Sequence, residues 1–209
     1  MEFNGALDKI LGQKTKVKIL RYLTKNNTEQ SGMRIAHETG INHWQTLKVM
    51  KDLYKQGMLK MHRAGNTYLF ALRDDHYLVK ELIIPLFKKE SGSIEDMIKE
   101  VVKVCNKIRK NILISIILFG SISKRKEKAH SDIDVLVIVK DSKDKKLIND
   151  EMSKNNTRFL TYYGNTLSPY VVTMDEFIRR NKKGDKLIKN IIKTGRVIFG
   201  KTVGEMIIE

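Results

Sequence analysis

The sequence predicts a two-domain protein of mixed α/β (α+β) class, with a helical N-terminal module, linker helices, and a C-terminal domain built on a small mixed sheet. Three observations carry this. Apolar residues recur at helical spacing through the first 57 residues and then give way to two short β-like runs around Arg63-Ala64-Gly65-Asn66. From Asn111 onward, apolar strands alternate with helical stretches. At 209 residues the chain is long enough for two cores.

The elements follow in order. Leu7, Ile10, Leu11, Val17, Ile19, Leu20 and Leu23 mark an amphipathic helix with a break near Gly12. Ser31 is placed to cap a short second helix that stops at Gly40, and Asn42 to cap a third that ends at Gly57. On the third helix Trp44, Leu47, Met50, Leu53 and Tyr54 share a face, and Trp44 is expected in the core. Residues 74–92 form a linker helix with an apolar stripe of Tyr77, Leu78, Leu82, Ile83, Leu86 and Phe87; core packing is expected of it, and pairing of two subunits is the alternative. A further helix follows from Ser93 to Lys110. In the domain of residues 93–209, strands are predicted at Ile112–Phe119, Ile133–Val139 and Leu167–Thr173, with a last edge strand at Arg196–Phe199. Helices are predicted over Lys143–Tyr163 and Asp175–Lys193.

The formal charge is +16. Residues 1–73 hold 13 Lys/Arg against 5 Asp/Glu, so about a third of the chain carries half of the excess. Such density favours polyanionic partners, because each neutralised phosphate releases counterions. No apolar run approaches the ~20 residues of a membrane span. The N-terminus carries early acids and no apolar signal segment, and a cytoplasmic location is expected. Cys105 is the single cysteine and lies on an apolar helix face, so a buried, inert thiol is expected.

Three helices followed by a hairpin, with a turn at Gly40, resemble the winged helix-turn-helix family over roughly residues 5–73, within a first domain of residues 1–73. That resemblance implies duplex DNA as partner and a third helix in the major groove. His43, Gln45, Thr46 and Lys48 would then face base edges, and Arg63 and Asn66 at the hairpin tip would reach phosphate or a minor groove. It also implies a homodimer, since such modules read two half-sites.

One segment carries chemistry. Leu118-Phe119-Gly120-Ser121 is a strand ending in a tight turn, whose backbone N–H groups suit phosphate oxygens; Ser121 adds a hydroxyl. Ten residues later, Asp132 and Asp134 stand two apart on a strand, so both carboxylates point to one face. Two ionised carboxylates repel unless a cation lies between them, and Mg²⁺ (or Mn²⁺) takes such hard oxygen ligands. Lys124 and Arg125 between the two halves could neutralise phosphate charge. His130 and Ser131 lie beside Asp132, within reach of phosphate or simply in a solvated turn. Tyr162 and Tyr163 could stack on a base or merely pack.

Gly120, Ser121, Asp132 and Asp134 in this spacing resemble the minimal nucleotidyltransferases of the polymerase-β superfamily, over about residues 93–200. The resemblance implies that an NTP is substrate or ligand, that Asp132 and Asp134 are catalytic and hold the metal, and that Gly120, Ser121, Lys124, Arg125 and Ser131 hold nucleotide. Small members act as antitoxins that adenylylate a tyrosine of a partner protein, so a protein or small-molecule hydroxyl is the implied acceptor. Two departures stand out. Ser123-Lys124-Arg125 replaces the family's Ala-Arg-Gly. The third carboxylate is missing: no Asp or Glu lies between Glu151 and Asp175, Ser168 and Tyr170 occupy the strand where it belongs, and Asp175 and Glu176 read as helix-start acids. An active transferase, a nucleotide-responsive transcription regulator without turnover, and an interaction module using neither site remain the three expectations.

Overall fold

A computed structural model describes residues 4–108 and 111–208. The chain divides into two units, Met1–Ser93 and Ile94–Glu209.

The N-terminal unit opens with two helices, α1 (Ala6–Leu11) and α2 (Lys14–Lys25), separated at Gly12 and Gln13. A two-residue strand β1 (Gln30–Ser31) leads into α3 (Gly32–Thr39), and Ser31 Oγ accepts the Arg34 N–H as the N-cap. Gly40 ends α3 in the left-handed region at φ 64°. Asn42 Oδ1 then caps α4 (His43–Lys55) at 2.8 Å from Gln45 N. Ser31, Gly40 and Asn42 thus set the boundaries expected from their chemistry. The hairpin of β2 (Leu59–Ala64) and β3 (Thr67–Leu72) completes a three-stranded antiparallel sheet in the order β1-β3-β2. This is a winged-helix arrangement. Its core includes Ile19, Leu20, Leu23, Ile35, Val49, Met50, Leu53 and Phe70.

Lys16 is almost wholly buried, and its ammonium donates to Lys9 O at 2.6 Å and pairs with Asp52 at 2.5 Å. Those contacts tie α2 to both α1 and α4, fixing the orientation of α4.

After Leu72 the chain departs from the expected linker. A π-helical turn, Val79–Ile83, passes directly into α5 (Ile84–Asn106). Pro85 explains the turn: it has no N–H to donate, and Ile84 N–H reaches back to Val79 O in a five-residue step. The two helices expected here form one instead, with Gly92 inside it and the Ser91 and Ser93 hydroxyls donating to Lys88 O and Glu90 O. Of the apolar stripe, Leu78, Ile83 and Phe87 are buried, whereas Tyr77, Leu82 and Leu86 remain exposed.

In the second unit the strands β4 (Leu113–Leu118), β5 (Ile133–Val139), β6 (Leu167–Thr173) and β7 (Arg196–Gly200) form one sheet; a short helix, α6 (Gly120–Ser123), follows β4. The order is β6-β5-β4-β7, with β5 and β6 parallel and the other pairs antiparallel. Helix α7 (Ser142–Tyr163) packs with the inner part of α5 on the face of Ile133, Val135, Val137 and Val139. The helix expected over Asp175–Lys193 is two, α8 (Met174–Lys182) and α9 (Lys186–Thr194). Gly184 at φ 77° separates them, and Asp185 caps the second. With α10 (Val203–Ile208) they cover the opposite face, where Ile117, Leu136 and Ile138 meet Phe177, Ile188, Ile191 and Met206. Cys105 is buried, and desolvation pushes its thiol up to about 12.

Candidate functional site

The strongest cluster of chemistry lies where β4 turns into α6 beside the start of β5. Phe119 N–H donates to Asp134 O at 2.9 Å, which holds the turn against the carboxylate strand. Gly120 follows at φ 74°, a conformation open mainly to glycine. A methyl group on Gly120 would lie 1.9 Å from Asp134 Oδ2, so the space above this residue is already filled by the carboxylate. Asp134 is half-buried, and its carboxyl is raised above the ordinary range, first by desolvation and second by the charge of Asp132. Asp132 is more open and accepts a short hydrogen bond from the Thr166 hydroxyl. A half-buried carboxylate beside a second one is an arrangement that a divalent cation relieves, so the pair fits such an ion.

The surrounding residues are placed unequally. Ser121 is half-exposed in the turn, and its carbonyl accepts Lys126 N–H at 3.0 Å. Lys124 and Arg125 are exposed, Arg125 at φ 54°. Ser131 Oγ accepts Lys128 N–H at 2.9 Å and so closes the loop ahead of Asp132. His130 is exposed, with Nδ1 3.1 Å from Gly164 O. Tyr163 packs against Phe159 in the core on the far side of the sheet, and Tyr162, on the same helix, meets it edge-on.

The strand register places both Ser168 and Tyr170, the residues of the strand where the sequence lacks an acid, on one face of β6. Asp134 pairs with Ser168 and Leu136 with Tyr170 across the parallel β5–β6 ladder, so Ser168 shares the face of Asp134. Glu176 does not reach back to this place. Its carboxylate accepts Thr173 N–H in a capping box and binds Lys145 at 2.8 Å; that lysine holds it below the ordinary range. Among the described residues no group of three His, Cys, Asp or Glu is positioned to hold a metal.

In the first unit, α4 presents one face outward. Thr46, Val49, Met50 and Leu53 are buried, and Trp44, Lys48, Lys51 and Lys55 stand diametrically opposite at helical spacing. Two sequence expectations are corrected here. Thr46 is fully buried, its hydroxyl donating to Asn42 O at 3.0 Å, because it falls in phase with Val49 and Leu53. Trp44 is 72% exposed rather than in the core, with Lys48 Nζ 5.4 Å from its ring centroid. Trp44, Gln45, Lys48, Lys51 and Lys14 line a cleft of about 870 Å³ between α4 and the start of α2. His43 and Asn66 are exposed. Arg63 is too, though its guanidinium donates to Gly65 O at 2.9 Å and so folds back on the wing tip. Lys51, Lys55 and Trp44 escaped the sequence reading, although their spacing from Lys48 was visible in it.

Comparison with known proteins adds the following. The family described as "Polymerase beta, Nucleotidyltransferase" matches residues 99–203. No curated protein matches significantly. Among solved structures, the AntR antimony-specific transcriptional repressor is 18% identical at TM-score 0.36, over 44% of this chain and 76% of its own. The winged helix-turn-helix DNA-binding domain of a possible ArsR-family regulator from Mycobacterium bovis is 18% identical at TM-score 0.35, over 46% of this chain and 82% of its own. A toxin-antitoxin structure with AMP-PNP is 17% identical at TM-score 0.37, over 53% of this chain and 81% of its own.

Proposed function

Since the chain belongs to the polymerase beta nucleotidyltransferase family, we propose that its second unit binds an NTP with Mg²⁺ and that its first unit binds duplex DNA. The observation that carries the nucleotide reading is the packing of Asp134 over Gly120, with Asp132 beside it. In this reading Asp132 and Asp134 hold the divalent cation. When bound, the ion would supply charge neutralisation for the phosphates and for a leaving pyrophosphate. Gly120 and Ser121 present the turn to the phosphates. Lys124 and Arg125 supply exposed positive charge from the loop, while Ser131 shapes its end. A hydroxyl of a protein or small molecule is the acceptor if transfer occurs.

For the first unit, the outward face of α4 is the DNA surface, with His43, Gln45 and Lys48 joined by Trp44, Lys51 and Lys55. Arg63 and Asn66 serve at the wing. A second copy of the chain is part of the proposal, supported by the exposed Tyr77, Leu82 and Leu86. No helix among the described residues is long and apolar enough to cross a membrane.

A second reading, a nucleotide-responsive regulator without turnover, is favoured by one observation: Ser168 in the register position facing Asp134. One variant tests the nucleotide site that both readings share, and a second separates them. The Asp132→Asn/Asp134→Asn double variant should lose Mg²⁺-dependent binding of a labelled NTP by about 100-fold or more; unchanged binding would end the proposal. Ser168→Asp restores the missing carboxylate. If the wild type is a sensor, it should transfer no label to any acceptor, and Ser168→Asp should raise turnover from background. A wild type that already transfers label, and is not improved by Ser168→Asp, removes the sensor reading.

A further inference from the structure

The second unit carries a dense basic patch at the end of α8 and along α9. Residues 94–209 hold 24 Lys/Arg against 15 Asp/Glu, an excess of nine; residues 179–193 alone hold seven against one, an excess of six. Those fifteen residues span the end of α8, the Gly184 turn and most of α9. There, Arg179, Arg180, Lys183, Lys186 and Leu187 line a depression of about 690 Å³. Lys183 and Lys186 make no ion pair among the described residues. The other side of the sheet differs. Glu95 binds Arg196, Glu100 binds Arg158, and Lys99 and Lys103 lie 3.9 and 3.6 Å from Asp96 and Glu100.

Placement makes the excess informative. α8 and α9 cover the sheet face from which Asp134 projects, packing Phe177 and Ile188 against Leu136 and Ile138. A short path joins the two features. Ser168 faces Asp134, Tyr170 lies two residues along the same face of β6, and the Arg180 guanidinium lies 5.6 Å over the Tyr170 ring while donating to its hydroxyl. Arg180 also lies 3.6 Å from the Asp185 carboxylate.

We propose that the α8–α9 junction binds a single-stranded nucleic-acid backbone, a second nucleic-acid surface distinct from the winged helix. A protein partner would require an apolar centre, where lysine is depleted, and this depression has only Leu187. A nucleic-acid strand instead requires closely spaced cations beside a planar group, which Arg179, Lys183, Lys186 and the flat Arg180 guanidinium supply. The surface leads along β6 to the carboxylate pair. In that respect it rests on the nucleotide reading above, although strand binding itself requires neither NTP nor turnover.

The test uses the full chain carrying Lys48→Ala, Lys51→Ala, Lys55→Ala and Arg63→Ala, which silences the first unit, and a fluorescein-labelled 15-mer of DNA or RNA, without NTP. Adding Arg179→Glu, Lys183→Glu and Lys186→Glu should weaken binding at least tenfold. It should also flatten the logarithmic salt dependence by about two, at roughly 0.7 per single-strand phosphate released. Lys99→Glu/Lys103→Glu on the opposite side should change affinity less than twofold. Unchanged binding in the first variant, or equal loss in the second, overturns the proposal. So does an oligoglutamate of equal charge that binds as tightly, which would mark the surface for an acidic protein. Labelled-NTP binding by the same variants, expected unchanged, separates a failure here from a failure of the nucleotide reading.

Discussion

In the first unit, the groups presented to a ligand project from a helix whose packing is complete without them. Lys48, Lys51 and Lys55 stand opposite Val49, Met50 and Leu53, and they could be truncated without touching the core. In the second unit, ligand groups and fold are interlocked. Asp134 fills the space above Gly120, its own burial raises its carboxyl, and Asp132 adds repulsion. The difference is one between a displayed surface, which costs the fold little, and an assembled site, which holds unfavourable electrostatics that a bound cation would relieve.

Two glycines put that contrast to its hardest test. Gly65 at the wing tip and Gly120 at the carboxylates share left-handed φ values of 60° and 74°. Alanine at either should cost about 1–2 kcal/mol of backbone strain. Nothing lies within 4 Å of a methyl on Gly65, so Gly65→Ala should show that cost alone in urea denaturation. In Gly120→Ala the methyl must also displace the Asp134 carboxylate, so NTP binding in Mg²⁺ should fall about 100-fold or more, with a larger loss of stability. Equal effects of the two substitutions would break the comparison.

A smaller effect tests the displayed surface. Removing Lys48, Lys51 and Lys55 together should reduce the logarithmic salt slope of duplex-DNA binding by roughly three, about one per phosphate contact. Thermal stability and NTP binding should stay near wild type. A variant with wild-type slope would show that this face does not meet the backbone.

The contrast also explains what could be read from the sequence. The carboxylate site was legible because its logic is local: strand alternation aims Asp132 and Asp134 to one face, and Gly120-Ser121 announces the turn. The absence of an acid at Ser168 and Tyr170 was legible, but the place of Ser168 opposite Asp134 belongs to the β5–β6 register, which no local pattern fixes. On α4 the reading went astray for a different reason. Trp44 is the most apolar residue near the helix start, yet phase is set by the whole run, and Thr46, Val49, Met50 and Leu53 outvote it. The break between α8 and α9 was signalled by Gly184-Asp185, but the apolar period continues across it and masked the signal.

The smallest effect tests the electrostatics stored in the assembled site. A carboxyl raised in the folded state binds its proton over a pH window in which the unfolded chain has released it. Stability from this group is therefore present below the ordinary carboxylate value, 3.8, and is lost as pH rises through the raised one. At neutral pH ionised Asp134 opposes folding, so Asp134→Asn should raise the stability of the metal-free protein, by a small amount because solvent screens a partly exposed carboxylate. The gain should disappear below the window, where wild-type Asp134 is itself neutral. Mg²⁺ requires the ionised form, so its affinity for the wild type should rise with pH across that same window, and the Asn variant should show no such rise. Thermal denaturation at neutral and acid pH, with and without Mg²⁺, reads all of these outcomes. An Asn variant less stable than wild type at neutral pH would show that Asp134 is held by favourable contacts, and the second unit would then resemble the first.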